Sequence, residues 1–380
     1  MSQPFFDALL HVGRPNLGDH DLFIKKIEGV LENRWLTAGP LGAEFEQRIA
    51  EVAGTRFAVA TCNATVGLQI AARACGLRPG DEIIVPAFTW VATAHAVDWI
   101  GLVPVFCDID EETGNLDPAQ VARLIGPRTK GILGVHVFGV PCDIEGLTRI
   151  ADEHGIPLIF DAAHGIGSSY RGKPIGGFGS AEVFSFHATK FLNSFEGGAI
   201  VTDDEEVAER ARAMRNFGIG PDREVGSGGT NGKLTEAAAA MGLVSLASVD
   251  HFLAVNQANF DAYVEGLADV PGIRVRPLPL HPEDRCNLQY VVIDIDGEVA
   301  GIDRETLAAT LLAENVSSRP YFSPGCHQLT PYRERPEVHA PHPLPRAEAL
   351  AQRVLALPTG TAVTPSDVAS ICTIIRRTTT

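Results

Sequence analysis

The stretch AEVFSFHATKFLNSFEGGAIVTD, residues 181–203, decides how this chain is read. Its ends, AEVFSF (181–186) and GAIVTD (198–203), are short apolar runs without polar alternation, the pattern of strands covered on both faces. The turn between them, His187-Ala188-Thr189-Lys190, holds one lysine where a chain ordinarily builds core. Similar runs recur upstream: FAVATC (57–62), EIIVPA (82–87), VPVFCDI (103–109), GILGVHVFG (131–139) and PLIFDAA (157–163). Helical patterns separate most of them. Phe45, Ile49 and Val52 share one face of 42–52, and Ile144, Leu147 and Ile150 do the same before the stop at Gly155-Ile156-Pro157. Residues 203–215 begin with acids and end with Arg212 and Arg215, as a helix dipole favours. The alternation predicts an α/β fold with a mostly parallel, seven-stranded sheet.

The strand pattern stops near Ala239, and a long helical stretch is expected to about Ala268. Beyond it, NLQYVVIDI (287–295) and the helical RETLAATLLAEN (304–315) predict a smaller C-terminal α+β domain. The expected division is 1–250 for the large domain, N-terminal segment included, and 251–380 for the small one, a reasonable pair for 380 residues.

Composition narrows the function classes. A formal charge of −16 argues against wrapping nucleic acid, which needs a basic face, but leaves room for a small anionic ligand in a local pocket. The longest apolar run, Ala237–Val249, is broken by Gly242, Ser245 and Ser248, too short for a membrane span. The first residues, MSQPFFDALLHVGRPN, lack a basic stretch followed by a long apolar core, so no signal peptide is expected. Seven scattered cysteines without a CxxC pair suit a reducing cytoplasm and offer no zinc framework.

Sites in such folds gather at the carboxyl ends of strands. After the first run, Asn63-Ala64-Thr65 feeds a helix: either an anion site made by backbone N–H groups, with the Thr65 hydroxyl, or an ordinary helix cap. Trp90 opens the next helix, where its ring either faces something flat in the cleft or joins the core. Asp161 follows four apolar residues and is costly there unless something cationic or hydrogen-bonding meets it; a strand-end aspartate in this fold class is a site candidate, with a structural salt bridge as the alternative. His164 lies three residues on. Lys190 either reaches water or is held partly desolvated, which lowers its pKa and makes it a nucleophile toward carbonyls. Phosphate turn, flat aromatic, strand-end aspartate and strand-end lysine are together the parts that hold pyridoxal 5′-phosphate. A nicotinamide-dependent oxidoreductase would instead need GxGxxG after the first strand; TCNATVG lacks it, and GGFGSAE (176–182) precedes a strand. A binding-only regulator would be expected to lose the lysine or the aspartate, and both are present.

With these residues in place, the chain resembles the sugar aminotransferases of the DegT/DnrJ/EryC1/StrS family, which have the aspartate-aminotransferase fold (fold type I). The likeness runs from RWLTAGPLGAEFE through CNATVGLQ, VPAFTWVATAHA, FDAAHGIGSSYRGKPIGGFGSAEVFSFHATK, EGGAIVTDDEE, MRNFG and GTNGKL to RPYFSPGCHQLTPY. The resemblance implies that Lys190 bonds the cofactor and Asp161 pairs with its pyridinium nitrogen. It implies further that Trp90 stacks on the ring, that Ala64, Thr65 and Ser185 hold the phosphate, and that His164 lies near the ring's 3-hydroxyl. Asn231 matches an asparagine reaching the phosphate from a neighbouring subunit, which implies a homodimer with shared sites. His327 and Tyr321 fall where relatives meet the sugar. Asn63-Ala64-Thr65 departs from the Ser-Gly-Thr of many relatives, and Phe191 from their asparagine. Relatives with histidine in place of the lysine are dehydratases, and Lys190 argues against that branch. The expected activity is transfer of an amino group from a donor, L-glutamate, to a nucleotide-linked keto-deoxysugar. The motif flavour resembles members that aminate C4 of a dTDP-4-keto-6-deoxyhexose; amination at C3 is the alternative. Antibiotic or surface-glycan deoxysugar synthesis are natural contexts.

Overall fold

The computed structural model describes residues 4–278 and 281–379. Its strands run in chain order β1 (Leu10–His11), β2 (Phe57–Thr61), β3 (Glu82–Pro86), β4 (Val103–Cys107), β5 (Thr129–Val135), β6 (Leu158–Asp161) and a small hairpin, β7 (Ser169–Tyr170) with β8 (Lys173–Pro174). They continue with β9 (Ala181–Ser185), β10 (Gly198–Thr202), β11 (Ile273–Val275), β12 (Val291–Ile295), β13 (Val316–Ser317) and β14 (Val354–Leu357). Seven of them form the central sheet in the order β2-β10-β9-β6-β5-β3-β4. Only β10 is antiparallel to its neighbours, so the sheet is mostly parallel.

Strands buried on both faces explain the unbroken apolar runs. Val59, Ile83, Val85, Ile159 and Ile200 point into one core, and their neighbours Ala58, Ala60, Ile84, Phe160 and Val201 into another. Register sets the site's rim: Gly198 lies opposite both Ser185 and Thr61, and Asp161 is paired with Val135 and Val183. The carboxyl ends of β2, β3, β5, β6 and β9 therefore open on one edge, beside the start of β10.

Two expectations change in detail. The run 131–139 ends as a strand at Val135, because Phe138 adopts a left-handed backbone (φ 56°) in a short helical turn. The long helical stretch is two helices, Glu236–Ala247 and Val249–Leu267, bent by 61° about Ser248. The first is buried all round, with Gly242 so close to the Phe45 ring that a Cβ would lie 2.5 Å from it. This is a core helix, and among the described residues no single helix is long and apolar enough to cross a membrane. The N-terminal segment touches both parts: Asn16 is bonded to Phe191 and Asn193 of the first 250 residues. Leu10 and His11 pair with Val316 and Ser317, and the Phe5 N–H donates to the Glu314 carboxylate (2.7 Å). The C-terminal sheet β11-β12-β14 packs a third core with the end of helix Val249–Leu267 and helix Pro365–Thr378.

Candidate active site

A cavity of about 310 Å³ opens at the rim where the strand ends meet. Its floor begins at helix Ala64–Ala74. Asn63 caps that helix, its Oδ1 accepting from the Val66 N–H at 2.8 Å. The Ala64 and Thr65 N–H groups, in the first turn, have no acceptor inside the helix and line the cavity. The turn is thus both a cap and a cradle for negative charge, and Asn63 acts through the cap. Gly198 makes the cradle possible, since a Cβ there would lie 2.7 Å from Ala64 N and Asn63 C. Ser185, across the ladder from Gly198, ends β9 in the same wall.

Asp161 ends β6 and is 5 % exposed. Its Oδ2 accepts from the Thr93 hydroxyl at 2.7 Å and its Oδ1 from the Ala163 N–H at 3.1 Å. Thr93 in turn lies 2.9 Å from the Thr89 hydroxyl. Burial pushes the carboxyl above its usual range, while the Thr93 and Ala163 bonds and the Lys190 charge pull it down. Among the described residues none forms an ion pair with it, so the structural salt-bridge explanation falls away. Trp90 precedes helix Val91–Trp99 and stays 55 % exposed, standing edge-on to Tyr321 (6.0 Å, 77°) in the cavity wall instead of joining the core.

His164 is buried between the parallel ring of Phe322 (6.2 Å, 10°) and the edge of Tyr290 (4.9 Å). Its Nδ1 accepts from the Phe138 N–H at 3.2 Å. Burial, reinforced by the Lys190 charge, holds it well below the usual imidazole range, so it is neutral with its proton on Nε2.

Lys190 sits on a tight turn, its N–H bonded to the His187 carbonyl at 2.8 Å. Two buried amides fix the next residue: the Phe191 N–H donates to Gln289 Oε1 (2.8 Å), and Asn16 Nδ2 donates to the Phe191 carbonyl (3.0 Å). Phe191 itself is core, its ring edge-on to Phe252, so the departure from asparagine after the lysine adds packing and lines no part of the cavity. Desolvation lowers the Lys190 ammonium to about 8, with Asp161 pulling the other way.

The structure therefore brings Ala64, Thr65, Trp90, Asp161, His164, Ser185, Lys190 and Tyr321 to one cavity. It does not bring two others there. His327 is 9 % exposed, its Nε2 3.1 Å from Glu348 Oε1 and its ring near Phe106, and it does not line this cavity. Asn231 lies exposed beside Lys233, whose ammonium it accepts from at 2.5 Å, and faces no part of this chain's cavity. Sequence reasoning missed Thr89, Tyr290, Phe322 and the His187–Glu196 pair (3.5 Å), which line the cavity, and Thr93, which stands behind Asp161 and bonds its carboxylate. Only Thr93 carried a usable signal, a hydroxyl in the first turn after a strand end. Among the described residues no cluster of metal-ligating side chains is present.

Comparison with known proteins follows the same lines. The model of the DegT/DnrJ/EryC1/StrS aminotransferase family matches residues 19–376. The chain belongs to this family. Among solved structures it is similar to DesI, crystallised in the presence of its TDP-sugar product, at 50 % identity and a TM-score of 0.94, covering 100 % of this chain and 95 % of that one. DesV of S. venezuelae, solved in complex with a ketimine intermediate, is 33 % identical with a TM-score of 0.86 over 93 % of each chain. The aminotransferase TlmJ from Streptoalloteichus hindustanus is 30 % identical, with a TM-score of 0.89 over 98 % of this chain and 99 % of that one. The family comprises pyridoxal-phosphate-dependent sugar aminotransferases, so the protein is an enzyme. The residues present fit that cofactor. A buried carboxylate without an ionic partner suits a protonated ring nitrogen, a capped helix N-terminus suits a phosphate, and a part-desolvated amine opens on the same space.

Proposed function

We propose that this aminotransferase binds pyridoxal 5′-phosphate and converts dTDP-4-keto-6-deoxyglucose to its 4-amino-4,6-dideoxy sugar, with L-glutamate as donor. The observation that carries the reading is the placement of Lys190 and Asp161 in the walls of one cavity with the Ala64–Thr65 turn. When bound, the cofactor supplies an aldehyde that condenses with amines and a ring that accepts the electron pair left as the donor's Cα–H bond breaks. The chain's residues do the rest. The Ala64 and Thr65 N–H groups and the helix dipole bind the phosphate, and Trp90 forms one wall of the ring site. Asp161 holds the countercharge for the ring nitrogen, itself oriented by Thr93. Lys190 Nζ, with its pKa lowered to about 8, takes the proton from the donor's α-carbon and returns it on the way to product. The overall exchange is balanced: glutamate leaves as the 2-keto acid, and the sugar ketone becomes an amine.

A TDP-linked substrate is supported by the similarity to DesI with its TDP-sugar product. Position 4 rests on motif resemblance. Incubation with 4-keto and 3-keto nucleotide sugars, with NMR mapping of the new C–N bond, tests it; a bond at C3 alone replaces this reading with the C3 alternative.

A homodimer with shared sites completes the proposal. The exposed Asn231 follows the loop 227–230, which with Trp99 borders an open recess of about 400 Å³. A second copy covering that face would place Asn231 beside its own phosphate turn. Sedimentation velocity, with Asn231→Ala titrated for cofactor affinity, decides it: a monomer, or unchanged affinity, removes the shared site. Seven unpaired cysteines support a reducing compartment such as the cytoplasm.

A further inference from the structure

A second groove, of about 530 Å³, continues from the active cavity. The two share Thr89, Trp90, Tyr321 and Phe322, so the Trp90–Tyr321 pair stands on the threshold between them. The outer wall of the groove is the segment Arg319–Pro324. That segment is anchored at its start: the Arg319 N–H donates to the Ala356 carbonyl (3.0 Å) and its own carbonyl accepts from the Ala356 N–H (2.8 Å). Pro320 further restricts the Arg319 backbone to extended conformations. The base of the side chain is therefore placed, while the guanidinium has no acceptor among the described residues.

Arg304, Arg346 and Arg353, by contrast, pair with carboxylates or carbonyls. Among the described residues lining the two cavities, Arg319 and Lys190 are the only arginine or lysine, against the acids Asp161 and Glu196. In a chain of net charge −16, a doubly ionised ligand approaching this edge meets one free, strongly basic fork.

We propose that this groove receives the diphosphate of the nucleotide-linked sugar, with the Arg319 guanidinium as its cation and the sugar reaching past Trp90 and Tyr321 toward Lys190. The inference rests on the nucleotide-sugar reading above. A guanidinium presents paired N–H donors that match phosphate oxygens, whereas a lysine ammonium offers only a point charge.

The test is calorimetric titration of the cofactor-loaded enzyme with dTDP, comparing wild type with Arg319→Ala and Arg319→Lys, and with Lys130→Ala, an exposed lysine at the opposite, amino end of β5, as a control. Arg319→Ala should weaken dTDP binding about tenfold or more and flatten its salt dependence, because a charged hydrogen-bonding group contributes about 1.5–3 kcal/mol. Arg319→Lys should recover part of the loss, and the KM for the sugar nucleotide should rise more than kcat falls. Equal dTDP affinity in wild type and Arg319→Ala overturns the inference while leaving the substrate reading intact. Loss of the glutamate half-reaction in Arg319→Ala would assign the guanidinium to the donor carboxylate and overturn it differently. If wild type binds no dTDP yet reacts with glutamate, the nucleotide reading fails, and this inference with it.

Discussion

Thr93 Oγ1 lies 2.7 Å from Asp161 Oδ2, joining the first turn of a helix to the end of the neighbouring strand system. The bond matters because, among the described residues, buried Asp161 has only two hydrogen-bond donors, this hydroxyl and the Ala163 N–H, both neutral. Each bond to the ionised form lowers the carboxyl pKa against the desolvation that raises it.

Replacing Thr93 by valine keeps the shape and removes the donor. Asp161 should then protonate more readily, and affinity for pyridoxal phosphate should fall about tenfold or more, the scale of one hydrogen bond to a charged group. The pH midpoint at which bound cofactor changes its absorption should shift, and Thr93→Ser should restore it. An unshifted midpoint would mean that Thr93 only packs.

The Lys190 amine should react with added pyridoxal phosphate at a rate that climbs as pH approaches about 8 and levels off above it, rather than near 10.5. The sign follows from the lowered folded pKa: only the neutral amine attacks, and below about 8 it is protonated. The same linkage means that between about 8 and 10.5 the unfolded chain binds more protons at this site, so Lys190 makes stability rise with pH there. Since Asp161 raises the lysine pKa, Asp161→Asn should move the plateau to lower pH. Borohydride trapping and mass spectrometry read the rate at each pH.

Lys190→Ala should abolish turnover. Asp161→Ala should still let the cofactor attach at Lys190, but should slow transfer of the donor's α-proton by roughly 10²–10³-fold, the scale of losing a preorganised charge. Stopped-flow absorbance with glutamate separates the two steps. Near wild-type rates in either variant would remove that residue from the mechanism.

Gly198→Ala places a Cβ 2.7 Å from backbone atoms of the Asn63–Ala64 turn, which have no flexible end to give way. The expected cost is about 1–3 kcal/mol of stability together with weakened phosphate binding. Gly226→Ala is the matched control, because its Cβ would meet nothing within 4 Å. Thermal melts with and without cofactor measure both. Equal melting points for the two variants would show that the turn can move.

Much of the fold was legible because strands covered on both faces must be apolar at every position. β6 and β9 could be read without knowing their neighbours, and so could Asp161 and Lys190, since a charge at the end of such a run breaks the pattern. The bend at Ser248 was less legible: neither glycine nor proline marks it, and packing decides where one helix stops and the next begins. His327 shows the same limit at the site. Family resemblance implied a sugar contact for it, and the fold holds its ring against Glu348, 21 residues on, a pairing no local pattern shows.

By itself, then, the sequence determined the α/β alternation, the seven strands, the acid and amine at strand ends and the small-residue turn that opens the helix at Ala64. These follow from local periodicity and from the cost of burying a charge, which act residue by residue. Tertiary structure alone decided that Thr93 meets Asp161, that Gly198 must be bare for β10 to pass the Asn63 turn, and that Arg319 faces a groove without a partner among the described residues. Those depend on distances between segments far apart in the chain, which sheet order and register set and no local pattern encodes.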